Sequence, residues 1–516
     1  MKSLEELKEE YKKEFDELKE NGIIETENAE FLKTLTDRAQ STQELIKIKA
    51  LGTRYQRTGF HFDVRFEIAG DNTIKYFKKN EDLSFDNGGI KHKLIIGDNY
   101  NAINNLLIQY RKQIKVIYID PPYGKDSMGV SAQTNYTNAI KRDNLLTMLY
   151  TRLQLAKRLL KDDGVIFCSI DDRNQAYVKC LFDEIFGEAN FVANLIWQKK
   201  KGGSQDSQDF SKEHEYILCY QRRDWEILDE TKEYTEADFN KTINGKKAKI
   251  LKLEKWGVGS LRSDAPTLYY PIKDPNGDDF YPLAPNGQDG RWRKKPEILD
   301  ENHIFWQENS KGRLTPYEVI YFDEVEFKKI KTRTIFSEFG TTTEATKEIL
   351  SLFNEKKVFE TPKPTKLMSK LIQLSANKDD IILDFFAGSG TTGHAVLELN
   401  RQDGGNRKFI LATNNEKTEI NPNGIAYDVT TKRLKRVMDG KCYDGDKSYK
   451  WIENNEPYGD SLEVLEMAER PNTDENIFDR IDESLYGLPP FSDINDKIDW
   501  VCENFEKTCQ REIEND

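Results

Sequence analysis

The chain has 516 residues, 37% hydrophobic, 32% charged and 11% aromatic, a composition that argues against wholesale disorder and predicts two to four structural units. No apolar run approaches the ~20 residues a bilayer span needs, the start MKSLEELKEEYKKEF lacks a signal-peptide stretch, and six scattered cysteines contain no CxxC pair. A cytoplasmic protein without membrane contact, disulfide framework or structural metal is expected, and the five histidines show no metal-ligand spacing.

The net charge of −13 is local, because residues 441–516 hold 21 acidic against 8 basic residues whereas residues 1–440 hold 69 of each. A polyanion partner for the neutral body therefore stays open.

In chain order, residues 2–20 place Leu4, Leu7, Tyr11, Phe15 and Leu18 at helical spacing, an amphipathic helix that Asn21 and Gly22 should end. It is expected to pack on the body, with a dimer contact as the alternative. From about residue 90, KLIIGDN (93–99), VIYID (116–120) and GVIFCSID (164–171) read as buried strands, each with an acid at its end. Helices are predicted over 144–161, with an apolar face of Leu145, Leu149, Leu153 and Leu160, and over 174–186, with Val178, Leu181, Phe182 and Ile185. The rhythm stops near Trp197. Residues 198–335 are rich in Gly, Pro, Lys, Tyr and Trp, with basic clusters at 199–201, 291–295 and 328–333. It returns with a helix after Pro364, the strand DIILDFF (380–386), a Gly-rich turn, a helix through Leu399 and the strand KFILAT (408–413).

Such alternation predicts an α/β protein with a mostly parallel, doubly wound sheet interrupted once. The predicted units are a helical N-terminal extension (1–90), two halves of one domain (91–197 and 336–440), an insert (198–335) and a partly folded acidic region (441–516).

Two motifs carry chemistry. Gly388 to Gly393 (GSGTTG) follow a strand and open a helix, where glycines let a ligand approach the backbone across the strand ends. The string satisfies GxGxxG, so a nicotinamide or flavin oxidoreductase competes; no phosphate-binding GxxxxGK[ST] loop occurs. The second motif is Asp120, Pro121, Pro122 and Tyr123 at the end of the strand VIYI. Paired prolines hold the chain extended, so a carboxylate, the Pro121 carbonyl and an aromatic ring face one small space. The exocyclic amine of adenine or cytosine is planar and weakly nucleophilic. Two such acceptors could bind its N–H groups and favour attack on a methyl group while Tyr123 stacks on the base.

DPPY at 120–123 with DFFAGSG at 384–390 resembles the paired motifs of amino-directed DNA methyltransferases that use S-adenosylmethionine, in the order of their β group: catalytic motif, insert, cofactor motif. GDNYNAINNLL (97–107), GRWRK (290–294), FETPKPTKLM (359–368) and ILATNNE (410–416) extend the resemblance to the modification subunits of type III restriction-modification systems, over roughly residues 90–440.

The resemblance implies a circularly permuted methyltransferase fold, an inserted target-recognition domain and transfer to N6 of a flipped adenine in double-stranded DNA, with S-adenosylhomocysteine as product. Cytosine-N4 transfer, an orphan or type II-like enzyme, and a non-catalytic DNA-binding protein are the alternatives. It further implies a homodimer and a restriction partner that is an ATP-dependent translocase and nuclease. By the same likeness, Asp384, Phe385, Phe386, Ala387, Gly388, Gly390 and Thr391 wall the cofactor pocket, Thr361, Pro362, Lys363 and Pro364 close over its methionine end, and Asp98 meets its adenine. Glu416, with Asn414 and Asn415 beside it, is the candidate for the ribose hydroxyls. Asp171 and Asp172 are expected to cap a helix. DNA contacts are expected from Lys199, Lys200 and Lys201 and from Arg291, Trp292, Arg293 and Lys294, where guanidinium groups flank a ring able to stack on a displaced base or to sit in a core.

Overall fold

The structure, a computed structural model, describes residues 3–20, 24, 26–53, 72–123, 142–202, 210–228, 230–309, 312–325 and 327–509. Three helices come first: α1 (Leu4–Glu20), α2 (Thr26–Arg38) and α3 (Thr42–Thr53), packed on one another around Phe15, Ala29, Leu32 and Leu45. The expected stop at Asn21 and Gly22 lies outside the described residues.

One sheet organises the rest. Its strands are β1 (Thr73–Lys79), β2 (Lys91–Ile96), β3 (Ile114–Ile119), β4 (Leu160–Ile170), β5 (Phe191–Gln198), β6 (His214–Gln221), β7 (Ile335–Phe336), β8 (Ile381–Asp384), β9 (Lys408–Thr413) and β10 (Ser461–Pro471). They lie in the order β1-β10-β2-β9-β8-β3-β4-β6-β5-β7. The neighbours β10, β2, β9, β8, β3 and β4 run parallel, whereas β6 is antiparallel to both β4 and β5.

Helices α4 (Asn99–Tyr110), α5 (Arg142–Leu159) and α6 (Gln175–Phe186) cover one face, and α7 (Thr342–Leu352), α8 (Thr365–Gln373), α9 (Thr391–Asp403) and α10 (Thr431–Asp439) the other. β3 shows why the central strands read as unbroken apolar runs: Ile117 and Ile119 enter one core and Val116 and Tyr118 the other. This is the doubly wound α/β architecture expected, with the strand that leads into Asp120 ahead of the glycine-turn strand in the chain.

Three boundaries differ from expectation. The predicted insert starts at 198, yet His214–Gln221 belongs to the main sheet, with Leu218 and Tyr220 in one core and Ile217 and Cys219 in the other. Polar and glycine-rich flanks, KKKGG at 199–203 and Arg222-Arg223, mask this strand in the sequence. The acidic region also supplies β10, paired between β1 and β2. Its glutamates hid a pattern in which Leu462, Val464 and Leu465 are buried. The N-terminal extension likewise ends in β1, which joins the sheet edge.

Between β6 and β7 the chain builds antiparallel β structure. Ile304–Glu308, Leu314–Tyr321, Lys246–Lys252 and Lys241–Ile243 form a four-stranded sheet, and Phe327–Ile330 pairs with Glu230–Glu233. Two small cores serve it, one around Ala248, Val319 and Tyr321, the other around Leu253, Ile272 and Trp292.

Candidate active site

β3 and β8 are adjacent and parallel, with Tyr118 opposite Asp384. From β8 the chain crosses one face through α9 to β9; from β3 it crosses the other through α5 to β4. The two connections diverge, which opens a crevice at the carboxyl ends of the strands. Both motifs therefore face the same space, Asp120 and Asp384 being 264 positions apart in the chain but at the ends of neighbouring strands.

Asp120 follows β3 directly. Lys363 Nζ donates to both its carboxylate oxygens, at 2.8 and 2.7 Å, and to the Tyr123 hydroxyl oxygen at 2.9 Å. The Tyr123 hydroxyl donates to Asp120 Oδ1 at 2.7 Å and lies 3.1 Å from Glu215 Oε2. Lys363 Nζ is 3.4 Å from that same glutamate oxygen, and Lys199 Nζ donates to Glu215 Oε1 at 2.9 Å. Burial pulls the Lys363 ammonium down, but the Asp120 and Glu215 carboxylates outweigh it and hold its pKa above the ordinary value. Burial raises Glu215 too, yet the Lys363 and Lys199 ammoniums prevail and keep it below the usual carboxylate range. Burial, with Asp120 and Glu215, drives the Tyr123 phenol far up, so it stays protonated. Asn174 Nδ2 donates to the Tyr123 carbonyl at 2.7 Å and fixes the extended DPPY segment from behind.

The glycine turn is braced on all sides. Asp384 accepts from Phe386 N at 2.9 Å and from the Thr392 hydroxyl at 2.6 Å, so it ties the end of β8 to the first turn of α9. Burial pushes its carboxyl up to about 7. Gly388 and Gly390 take φ of +49° and +78°, and a Cβ on Gly388 would stand 3.1 Å from the Phe359 ring. Thr430 Oγ1 donates to the Gly388 carbonyl at 2.6 Å, and Asn99 Nδ2 to the Phe385 carbonyl at 2.9 Å. The N–H groups of Gly388 and Ser389 have no hydrogen-bond partner among the described residues.

Other expected positions fall in different places. Asp98 caps α4, accepting from Tyr100 N and Asn101 N, and pairs with Arg152 at 3.0 Å. Phe385 is fully buried in the core, Thr391 bonds to Arg433 behind the turn, and Phe386 stays part-exposed. Thr361 is exposed, whereas Pro362 and Pro364 are buried, Pro364 opening α8 against Gly340. Glu416 lies just beyond β9, half-buried, its carboxylate without a partner among the described residues. Asp171 accepts from Arg173, but Asn174 occupies the cap position of α6.

Among the expected DNA-facing residues, one ring and three cations are engaged within the protein. Trp292 is 1% exposed and donates through Nε1 to the Tyr270 carbonyl at 2.7 Å, so it is a core residue of the insert and unable to stack on a base. Lys199 is held by Glu215 beside the DPPY segment, and Lys294 by Glu318; Arg291 is bonded to the Gly259 carbonyl. Arg293, Lys200 and Lys201 are exposed.

Residues the sequence did not reveal are Glu215 and Asn174, from β6 and the cap of α6, and Trp256, whose ring is 58% exposed with Lys252 Nζ 4.1 Å above it. A lone glutamate on a short strand carries no motif; a Trp between a Lys and a Gly (KWG) was the only hint.

Asp120 and Tyr123 at the end of one strand and the glycine turn at the end of its neighbour thus share one crevice at a topological switch point. The chain belongs to the N6/N4 DNA methylase family, whose model matches residues 114–421; a second model, of an uncharacterised conserved protein, matches residues 8–116.

Among relatives, the Mod subunit of the type III restriction-modification enzyme StyLTI of Salmonella typhimurium is 34% identical over 62% of this chain and 52% of its own. The EcoPI Mod subunit of Escherichia phage P1 is 30% identical, over 79% and 70%. The type II methyltransferase M.KpnI of Klebsiella pneumoniae is 33% identical, over 67% and 87%. The chain thus spans about half the length of the StyLTI subunit.

Proposed function

We propose that the protein transfers the methyl group of S-adenosylmethionine to N6 of an adenine flipped out of duplex DNA, as the modification subunit of a type III restriction-modification system. The observation that carries this reading is the Asp120 carboxylate held by Lys363 and Tyr123 in the same crevice as the glycine turn.

The turn suits this cofactor: Gly388 leaves room where a Cβ would crowd Phe359, two N–H groups are free for an anionic end, and the unpaired Glu416 past the next strand would be the acceptor for its ribose hydroxyls. When bound, the cofactor supplies an electrophilic methyl group. The protein's part is to bind and orient the amine. A carboxylate offers about four acceptor directions, and Lys363 and Tyr123 occupy three of those on Asp120, leaving one for an N–H while the Pro121 carbonyl takes the other. The nitrogen lone pair is thereby turned out of conjugation and toward the methyl group. The amine cannot reach this crevice inside the base stack, so the base must be extruded.

DNA is held by the insert, where exposed Arg293 and the Lys252–Trp256 pair offer a cation and an open ring, and by Lys200 and Lys201. Homodimerisation and a translocating restriction subunit complete the type III reading. M.KpnI, of which 87% is covered by this chain, favours a second reading as a stand-alone type II-like enzyme.

The test is incubation of the purified protein with plasmid DNA and methyl-labelled S-adenosylmethionine, then nucleoside mass spectrometry. N6-methyladenine is expected. Asp120→Ala should lower transfer by about 100-fold or more with cofactor and DNA affinity retained. Calorimetric binding of NAD without binding of S-adenosylmethionine would overturn the reading in favour of an oxidoreductase.

A further inference from the structure

Asp120 carries a negative charge and Lys363 a positive one, and at 2.7–2.8 Å from both oxygens the ammonium by itself would cancel the carboxylate's field. That is the wrong electrostatics for the chemistry proposed above, on which this inference rests. When the amine attacks, the nitrogen lone pair forms the N–CH3 bond and the S–CH3 bonding pair returns to sulfur. The positive charge passes from sulfur to nitrogen, and the surplus N–H proton then leaves toward Asp120 and solvent. A neutral Asp120–Lys363 pair gives that nitrogen little.

Glu215 changes the balance. Its Oε2 lies 3.4 Å from Lys363 Nζ and 3.1 Å from the Tyr123 hydroxyl, so both groups that bind Asp120 are shared with a second carboxylate. The side chains of Lys363 and Glu215 are only 9% and 10% exposed, which limits solvent screening between them. The set of Asp120, Lys363 and Glu215 is net negative, and Lys199, which balances Glu215 from its far oxygen, is more exposed at 29%. β6 places Glu215 here because Glu215 pairs with Trp197 near the end of β5, at the same edge of the sheet as the crevice.

We infer that Glu215 is a positioning residue for methyl transfer: by sharing Lys363 and Tyr123 with Asp120, it keeps Asp120 fixed yet net negative beside the nitrogen that becomes positive.

Glu215→Gln keeps the shape and removes the charge. In single-turnover methylation of duplex DNA at saturating S-adenosylmethionine, its rate should fall by about 10- to 100-fold, less than the ~100- to 1,000-fold for losing a group that touches the reacting atoms, because Glu215 acts through Lys363 and Tyr123. Dissociation constants for cofactor and DNA should stay within about 3-fold of wild type, a split that general damage to the site would not give. Because Glu215 acts through Lys363, the loss should shrink to under about 3-fold in a Lys363→Met background. A wild-type rate in Glu215→Gln, a loss confined to affinity, or an equal loss in both backgrounds would each overturn the inference. Should Glu215→Gln not fold, Glu215→Asp decides: a rate within 10-fold of wild type supports the charge argument, and a greater loss overturns it. Wild-type protein that methylates no DNA would instead defeat the proposed function.

Discussion

Asp384 ends β8 with both carboxylate oxygens engaged, yet burial lifts its pKa to about 7, far above the 3.8 it has when exposed in the unfolded chain. Below pH 3.8 both states hold the proton and nothing is lost. Between 3.8 and 7 the unfolded state gives it up while the folded state keeps it, so stability falls as pH rises through that window. Asp384→Asn has no such proton, and its amide can still accept from Phe386 N. Relative to that variant, the wild type should lose up to about 1.4 kcal/mol per pH unit across the window. Denaturant midpoints of both proteins at pH 5, 6, 7 and 8 measure this, and parallel profiles would show Asp384 ionised throughout. At the same scale, Glu215 and Lys363 show that charge at this site is set by partners far away in sequence.

At the scale of elements, β10 is the instructive case. Its backbone pairs with β1 on one side and β2 on the other, and it buries Leu462, Val464 and Leu465. Each such side chain contributes ~1.5–3 kcal/mol of burial, and its loss would also leave β2 with an unpaired, apolar edge. A chain cut after residue 440 should therefore lose cooperative unfolding by circular dichroism and show no heat with S-adenosylmethionine. A truncated protein that folds and binds cofactor would show β10 to be an accessory edge. The lesson extends to β6, which carries Glu215 into the site.

Over the whole molecule, the body is neutral and the insert carries as many acidic as basic residues, so DNA affinity must come from arrangement rather than net charge. Arg293 and Trp256 are an exposed cation and an exposed ring on the insert. Arg293→Ala should weaken DNA binding and, if the contact is to a phosphate, reduce the salt slope by about one. Trp256→Ala should cost ~1–3 kcal/mol of binding, the range for a base stacked on a ring. Fluorescence anisotropy across a salt series reads both; unchanged affinity in each would move the DNA-binding face elsewhere. Trp292→Ala should instead destabilise the insert by ~3–5 kcal/mol, since its ring is core.

The strands β2, β3, β4, β8 and β9 were legible because each is buried on both faces and so reads as an apolar run ending in an acid or a turn. Asp120 and the glycine turn were legible because rigid prolines and positive-φ glycines leave a local signature whatever the fold. Sequence by itself thus determined where both motifs lie and the family whose pattern they fit. It did not determine which side chains share the site, since Lys363, Glu215 and Asp120 meet only once β3, β6 and the segment before α8 are brought to one end of the sheet. Nor did it separate a buried Trp292 from an exposed Trp256, for both sit among basic residues and only packing decides which ring the solvent meets. The same limit explains β10, where glutamates at every third position look like a solvated tail until the strand's partners are in place.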